Sequence, residues 1–416
     1  MKKFINAKIY GHDDASEILV DDGKFVEFGN NLKDCDEEID LGGCLVIPPY
    51  VDSHLHLDYY MIGKTDKEEN ESGTLFEAID IWNDFKKGTS KDQMKERIYG
   101  AVRECLSHGT QYIRAQTDCT DPNLTGIKAA LEVAQELKDK VTIQVVAFPQ
   151  NGMYSYKEEG KTGRDLVEEA LKLGCEVVGG IPHNELSREL GEKSIKEIVR
   201  LALKYDKLID VHCDETDDEM ARFVEVLNAE AMMEGIGEKT TASHTCSFGS
   251  VNDAYAFRMM GLFRKSKLNF ISLPTENAYL QGRQDSYPKR RGLTRVREFV
   301  DNDINVAFAQ DSIVDLWYPA GNGNLMNILD NGIHMAQLMK KEDFKKDLDL
   351  VTYNGARAMN IGDYGLKEGK SANFIILDAP NEFEAIRNRA ECLGSVRKGE
   401  FLFKKKKREY EIDLDI

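Results

Sequence analysis

Two histidines, His54 and His56, stand two residues apart in VDSHLHLD. On a β-strand that spacing turns both imidazoles to one face, a chelating arrangement. Further on, LIDVHCDE carries His212 and, three residues later, Glu215, while TASHT carries His244. FAQDS ends an apolar run on Asp311. A buried carboxylate without a partner is costly, on the order of several kcal/mol, so Asp311 needs something to face. Three neutral nitrogen donors (His54, His56, His212) and one hard oxygen (Asp311) suit a single divalent cation, Zn²⁺ or Fe²⁺, with a position left for water. Such a cation lowers the pKa of its water from about 16 towards about 7. His244 is then a candidate to hold that water and Glu215 a candidate to give a proton to a substrate. Each residue also has a plainer use: histidines can line any polar mouth, and Glu215 can form a loop ion pair.

These residues need a frame that gathers them. Apolar, β-branched runs recur through the middle of the chain: CLVIPPYVDSHLH, TQYIRAQTD, TIQVVAFPQ, CEVVGGIPH, KLIDVHCDE, TASHTC, NFISLPTEN and INVAFAQDS. Helical patterns separate them. In SIKEIVRLALKYDK, for example, Ile195, Ile198, Val199, Ala202 and Leu203 follow the spacing of one helix face, and LTGIKAALEVAQELKDK is equally helical. Eight strands alternating with helices predict an α/β fold, a (β/α)₈ TIM-like barrel. Active sites of that architecture lie at the C-terminal ends of the strands. His54, His56, Asp118, Gln150, His183, His212, Glu215, His244, Glu276 and Asp311 all fall there. Both chain ends read as short strands, as in INAKIYGHDDASEILVDDGKFVEFG and KSANFIILDAPNEFEAI. The expected organisation is therefore a small β-sandwich domain from residues 1–48 and 365–416 and a hydrolase barrel at 49–364.

Composition narrows the classes. The chain has 416 residues, 41% apolar, enough for a sizeable core. A net charge of −18 argues against a nucleic-acid partner, and KKKKR at Lys404–Arg408 reads as a solvated tail. LVIPPYV is too short to cross a bilayer, and the N-terminus lacks an apolar signal core, so a cytoplasmic location is expected. The eight cysteines form no CxxC pair, which favours reduced thiols over disulfides or a zinc ribbon.

At this point the residues resemble a known family, the bacterial cytosine deaminases of the amidohydrolase superfamily. The likeness runs nearly end to end, through PPYVDSHLHLD, ESGTLFEAI, QVVAFPQ, IPHNELSRELG, LIDVHCDETDDE, TASHT, LQGRQDSYPKRRG, DLWYP and EGKSANFIIL. The resemblance implies a barrel with a small β-sandwich, one divalent metal, hydrolytic release of an exocyclic amine as ammonia, and a homo-oligomer, often a hexamer. Carried over by position, His54, His56, His212 and Asp311 resemble the metal ligands, while Glu215 and His244 resemble the proton-transfer and water-orienting residues. Gln150 resembles the reader of the substrate's amide edge, and Leu75, Phe148 and Trp317 resemble pocket walls. Binuclear relatives bridge two metals with a carboxylated lysine, and neither VVAFPQ nor VVGGIPH ends on lysine. That disfavours a ring-opening cyclic amidase. A barrel that had lost catalysis would have lost some of these residues, and all are present.

The chain departs from the family in three places: Gln116 stands for a histidine, Thr275 and Glu276 are unusual, and Gln310-Asp311-Ser312 replaces His-Asp-Asp. By resemblance the lost aspartate lies beside the ring edge next to the amine-bearing carbon. Ser312 shortens that wall and removes a charge, and Glu276 joins the candidate pocket residues. A methyl group, worth about 0.8 kcal/mol on burial, fits the vacated space. Three rings share the required N–C–N–C=O fragment: cytosine, 5-methylcytosine and creatinine. The first two define the expected deaminase and creatinine the alternative; drift in a plain cytosine deaminase stays open. His183 is expected as a support for the ligands or a loop anchor.

Overall fold

The computed structural model describes residues 1–64 and 69–408. The last eight residues of the expected 365–416 segment lie outside the described residues. The chain divides into two compact units.

The larger unit spans Val51–Leu106 and Thr110–Ile361. Its eight parallel strands are β1 (Tyr50–Leu55), β2 (Thr110–Asp118), β3 (Thr142–Phe148), β4 (Val177–Gly180), β5 (Leu208–Cys213), β6 (Thr240–His244), β7 (Asn269–Ser272) and β8 (Val306–Phe308). They pair in strict sequence order. β1 and β8 close the barrel just past the last regular pairing, where Leu55 bridges Asp311. The Asp311 N–H donates to the His54 carbonyl at 3.0 Å, and the His56 N–H donates to the Asp311 carbonyl at 2.8 Å. The expected TIM-like barrel is thus present, with its seam at the candidate ligands.

The helices pack on the outside of these strands. The periodicity at Ile195–Leu203 belongs to a helix over Arg188–Tyr205, which starts earlier than that pattern because the Ser187 hydroxyl accepts from the Leu190 N–H. Ile195, Ile198, Val199 and Ala202 are buried on its inner face, while Leu203 is 47% exposed. Gly180 is where this helix meets β4: a Cβ there would lie 2.3 Å from Ile198 Cδ1. At Gly179 it would lie 2.9 Å from the Ala147 carbonyl oxygen. The glycine pair in VVGGIPH therefore serves close packing of helix and strand.

The smaller unit spans Met1–Tyr50, Ser107–Gly109 and the chain from Gly362 on. One sheet orders Lys24–Gly29, Glu17–Asp21, Lys2–Ile5 and Glu37–Asp40; the other orders Glu400–Lys404, Cys392–Arg397, Phe374–Leu377, Leu45–Ile47 and Lys8–Ile9. Phe4 from the first meets Phe374 from the second edge-on, with ring centroids 4.9 Å apart, and Phe25 packs on Phe374 as well. Strands from both chain ends share this core.

Candidate metal centre

His54 and His56 project from β1 to the same side, as their two-residue spacing requires. His212 comes from β5, and Asp311 follows β8. All four are buried, and one ligand atom from each lies within 4.8 Å of the others. The Nε2 atoms of His54 and His56 each stand 3.1 Å from Nε2 of His212. Asp311 Oδ1 is 3.4 Å from His54 Nε2 and 3.6 Å from His56 Nε2. Donors held about 2.1 Å from one cation at angles between 90° and 120° are themselves roughly 3.0–3.6 Å apart. The spacing and the N₃O donor set therefore fit one divalent cation.

The donors are kept ready for it. Burial, reinforced by neighbouring histidines, pushes His56 and His212 well below the ordinary imidazole range, so both rings are neutral. Burial pushes the Asp311 carboxyl well up, helped by Glu215, Asp315 and Asp52. A cation held there would supply the missing counter-charge.

A buried ion pair orients His54. Its Nδ1 lies 3.0 Å from Ser243 Oγ, whose hydroxyl donates to Asp210 at 2.6 Å. Asp210 in turn accepts from Arg114 at 3.0 Å, deep in the barrel. Burial pushes the Asp210 carboxyl up, but His54, Arg114 and Ser243 outweigh it and hold it below its usual value. With Nδ1 protonated towards Ser243, Nε2 presents its lone pair to the ligand cluster. Gln116, the residue standing for a histidine, also reaches Nδ1, at 3.1 Å.

Glu215 and His244 form a second group around Asp311. His244 Nδ1 is 3.4 Å from Glu215 Oε1 and 3.8 Å from Asp311 Oδ2. Asn277, which the sequence did not mark, donates to His244 Nδ1 at 3.2 Å and to Glu215 at 3.4 Å. Burial, then the nearby Glu276 charge, pushes Glu215 well above the ordinary carboxyl range. A carboxyl that carries a proton near neutral pH can give it away, which is what a general acid needs. His244 and Asp311 sit at φ of 67° and 69°, conformations costing roughly 1–2 kcal/mol each for a residue with a Cβ.

A small cavity opens over the cluster. Its walls include the candidates Leu75, Gln150, Glu276, Ser312 and Trp317, together with Tyr59 and Ile181, which the sequence did not mark. Phe148 differs from expectation. Its ring stacks on His212 at 4.1 Å and 16°, outside the cavity lining, and so backs a ligand. The wall at Ser312 differs too. The hydroxyl stands beside the carboxyls of Glu276 and Asp315, and burial, helped by Asp311 and Asp315, pushes the Glu276 carboxyl well up. His183 lies outside the ligand cluster, in a short 3₁₀ turn over Pro182–Asn184. Burial pushes its imidazole down to about 4.

Comparison with known proteins agrees with this geometry. The Amidohydrolase family model matches residues 76–403. The crystal structure of 5-methylcytosine deaminase from Klebsiella pneumoniae liganded with 5-fluorocytosine is 43% identical, with a TM-score of 0.94, covering 99% of each chain. N-isopropylammelide isopropyl amidohydrolase from Pseudomonas sp. is 27% identical over 374 residues, covering 88% of each chain. The structure of N-isopropylammelide isopropylaminohydrolase from Burkholderia multivorans, 22% identical with a TM-score of 0.80 over 97% of this chain and 98% of that one, shares the fold.

Proposed function

Because the chain belongs to the amidohydrolase family, in its cytosine deaminase-like branch and as a hydrolase of C–N bonds, we propose that it removes the exocyclic amine of 5-methylcytosine or cytosine as ammonia. The methylated ring is the preferred substrate. The observation that carries this reading is the single cavity in which Glu215, Gln150 and Ser312 meet the His54–His56–His212–Asp311 cluster. The 43% identity to a 5-methylcytosine deaminase supports the choice of ring.

The four residues would hold one Zn²⁺ or Fe²⁺, and a cation there would supply the Lewis acidity that makes hydroxide available at neutral pH. Gln150 binds the ring's carbonyl edge. Glu215, protonated in its buried setting, gives its proton to the ring nitrogen beside the amine-bearing carbon, and the carbon–oxygen bond forms. His244, fixed by Asn277, orients the attacking oxygen and with Asp311 takes its proton. The proton then passes to the amine, the carbon–nitrogen bond breaks, and ammonia leaves. Ser312 leaves room for the 5-methyl group beside the reactive carbon.

No helix among the described residues is long and apolar enough to cross a membrane. The reading includes a cytoplasmic homo-hexamer, as the family resemblance implies. Sedimentation of the holoenzyme checks the assembly. Metal analysis of the purified chain, followed by ammonia detection with 5-methylcytosine, tests the activity. Silence with a fully loaded site overturns it.

A further inference from the structure

Tyr59 sits two residues beyond the last hydrophobic position of HLHL, where the sequence reads as loop, yet it is 1% exposed. Its ring lies between two others. It stacks on His56 at 4.6 Å and 9°, and on Trp317 at 4.6 Å and 23°. Its hydroxyl donates to Gln150 Oε1 at 2.7 Å. Both side chains line the cavity over the ligand cluster.

A glutamine amide has one accepting and one donating end, and which end meets a ligand decides what the ligand must offer. Here Tyr59 occupies the accepting end. Turning the amide over would set the Gln150 NH₂ against the hydroxyl and leave the buried O–H proton without this acceptor. The amide is therefore held with Nε2 towards the cavity, and the ring edge it meets must carry an acceptor.

We propose that Tyr59 is a positioning residue that sets the polarity of Gln150, and through it selects rings with a carbonyl, against rings with an amine, at the edge Gln150 reads. The selection extends the reading of the site as an aminopyrimidine deaminase and rests on it. A ring with an amine there would place donor against donor, and a site built for one hydrogen-bonding pattern rejects the other strongly. The stack on His56 gives the tyrosine ring a fixed place beside a metal ligand, so the Gln150 donor sits at a fixed distance from the reacting carbon.

The test compares cytosine with 2,4-diaminopyrimidine, which carries an amine where cytosine has its carbonyl and, with it, a ring nitrogen without the N1 proton. Values of kcat/KM are measured for the metal-loaded wild type, Tyr59→Phe, Gln150→Ala and the double variant. Phenylalanine keeps the stack and removes only the hydroxyl. The wild type is expected to favour cytosine, and Tyr59→Phe to reduce that preference by about tenfold or more with metal content unchanged. In the Gln150→Ala background the tyrosine change should move the preference less than about twofold, since a residue acting through Gln150 has nothing left to act on. An unchanged preference in Tyr59→Phe, or an equal effect with and without Gln150, overturns the proposal. A wild type that releases ammonia from neither ring defeats the deaminase reading instead. Binding of uracil against isocytosine to wild type and Tyr59→Phe then decides the amide's polarity: a preference for uracil that Tyr59→Phe weakens supports it, and equal affinities overturn it.

Discussion

Asp311 holds His54 at two points. Its backbone N–H donates to the His54 carbonyl at 3.0 Å, and its carboxylate Oδ1 stands 3.4 Å from the same residue's Nε2. One contact closes the barrel and the other is part of the candidate ligand cluster, so the seam between first and last strands and the candidate metal site are a single feature. This explains why an apolar strand ends on a buried acid: Asp311 faces three imidazoles gathered from strands one and five.

Removing a ligand should therefore empty the site. His212→Asn is expected to lose the cation and at least about 10³-fold in kcat/KM, because the hydroxide-generating charge goes with it. Metal content by elemental analysis checks the first effect. Retained metal with full activity would exclude His212 as a ligand. Metal binding should also tighten as pH rises, since Asp311 gives up a proton to bind and protons compete for the imidazoles.

Glu215→Gln is expected to keep the metal and lower kcat by about 10²–10⁴-fold, the usual range for a lost general acid. KM should move little. Single-substrate kinetics beside metal analysis separates this outcome from a damaged site.

At Ser312 the two substrates should part. Ser312→Asp returns a longer, charged side chain to the wall beside Glu276. Overpacking of that kind costs about 1–3 kcal/mol, so the ratio of kcat/KM for 5-methylcytosine over cytosine should fall about tenfold. Ser312→Ala, which opens the wall without adding charge, should preserve the ratio. An unchanged ratio in the aspartate variant would reduce Ser312 to drift.

Much of this site is legible in the chain because it follows short-range rules. The two-residue period of β1 aims His54 and His56 together, and strand ends mark His212, His244 and Asp311. Tyr59, Asn277 and Arg114 are not legible that way. Tyr59 meets Gln150 across 91 residues, and Arg114 meets Asp210 across 96. Such pairings depend on which strands face one another through the barrel, and local periodicity carries no record of that. Phe148 has the same origin: a strand pattern says that it is buried, but only the tertiary packing turns its ring onto His212 instead of the cavity.

Arg114 gives the clearest stability prediction. It is fully buried and pairs with Asp210, donating also to Thr241 and the Ala358 carbonyl. Arg114→Met would leave Asp210 charged and unpaired, an expected loss of about 3–5 kcal/mol. Thermal unfolding of the variant measures it. Because Asp210 orients His54 through Ser243, metal affinity should fall as well.

The helices Gly163–Leu173 and Arg188–Tyr205 are joined by Glu168, which Lys204 and Tyr205 bind and Arg164 flanks. The hydrogen bonds from Lys204 and Tyr205 hold its carboxyl down to about 2, from an ordinary value near 4.5. A lowered folded-state pKa stabilises the fold above the unfolded value, and that contribution is lost as pH falls from about 4.5 through about 2. Glu168→Gln should therefore lower Tm at pH 6, and the gap to wild type should close towards pH 2.5. A gap independent of pH would contradict the assignment.

The most direct test of the central claim is kcat/KM for ammonia release by the metal-loaded protein from 5-methylcytosine, cytosine and creatinine, measured side by side. Release from both pyrimidines is expected, with 5-methylcytosine the faster, and little from creatinine. Release from creatinine alone, or from none of the three with the metal site filled, would contradict it.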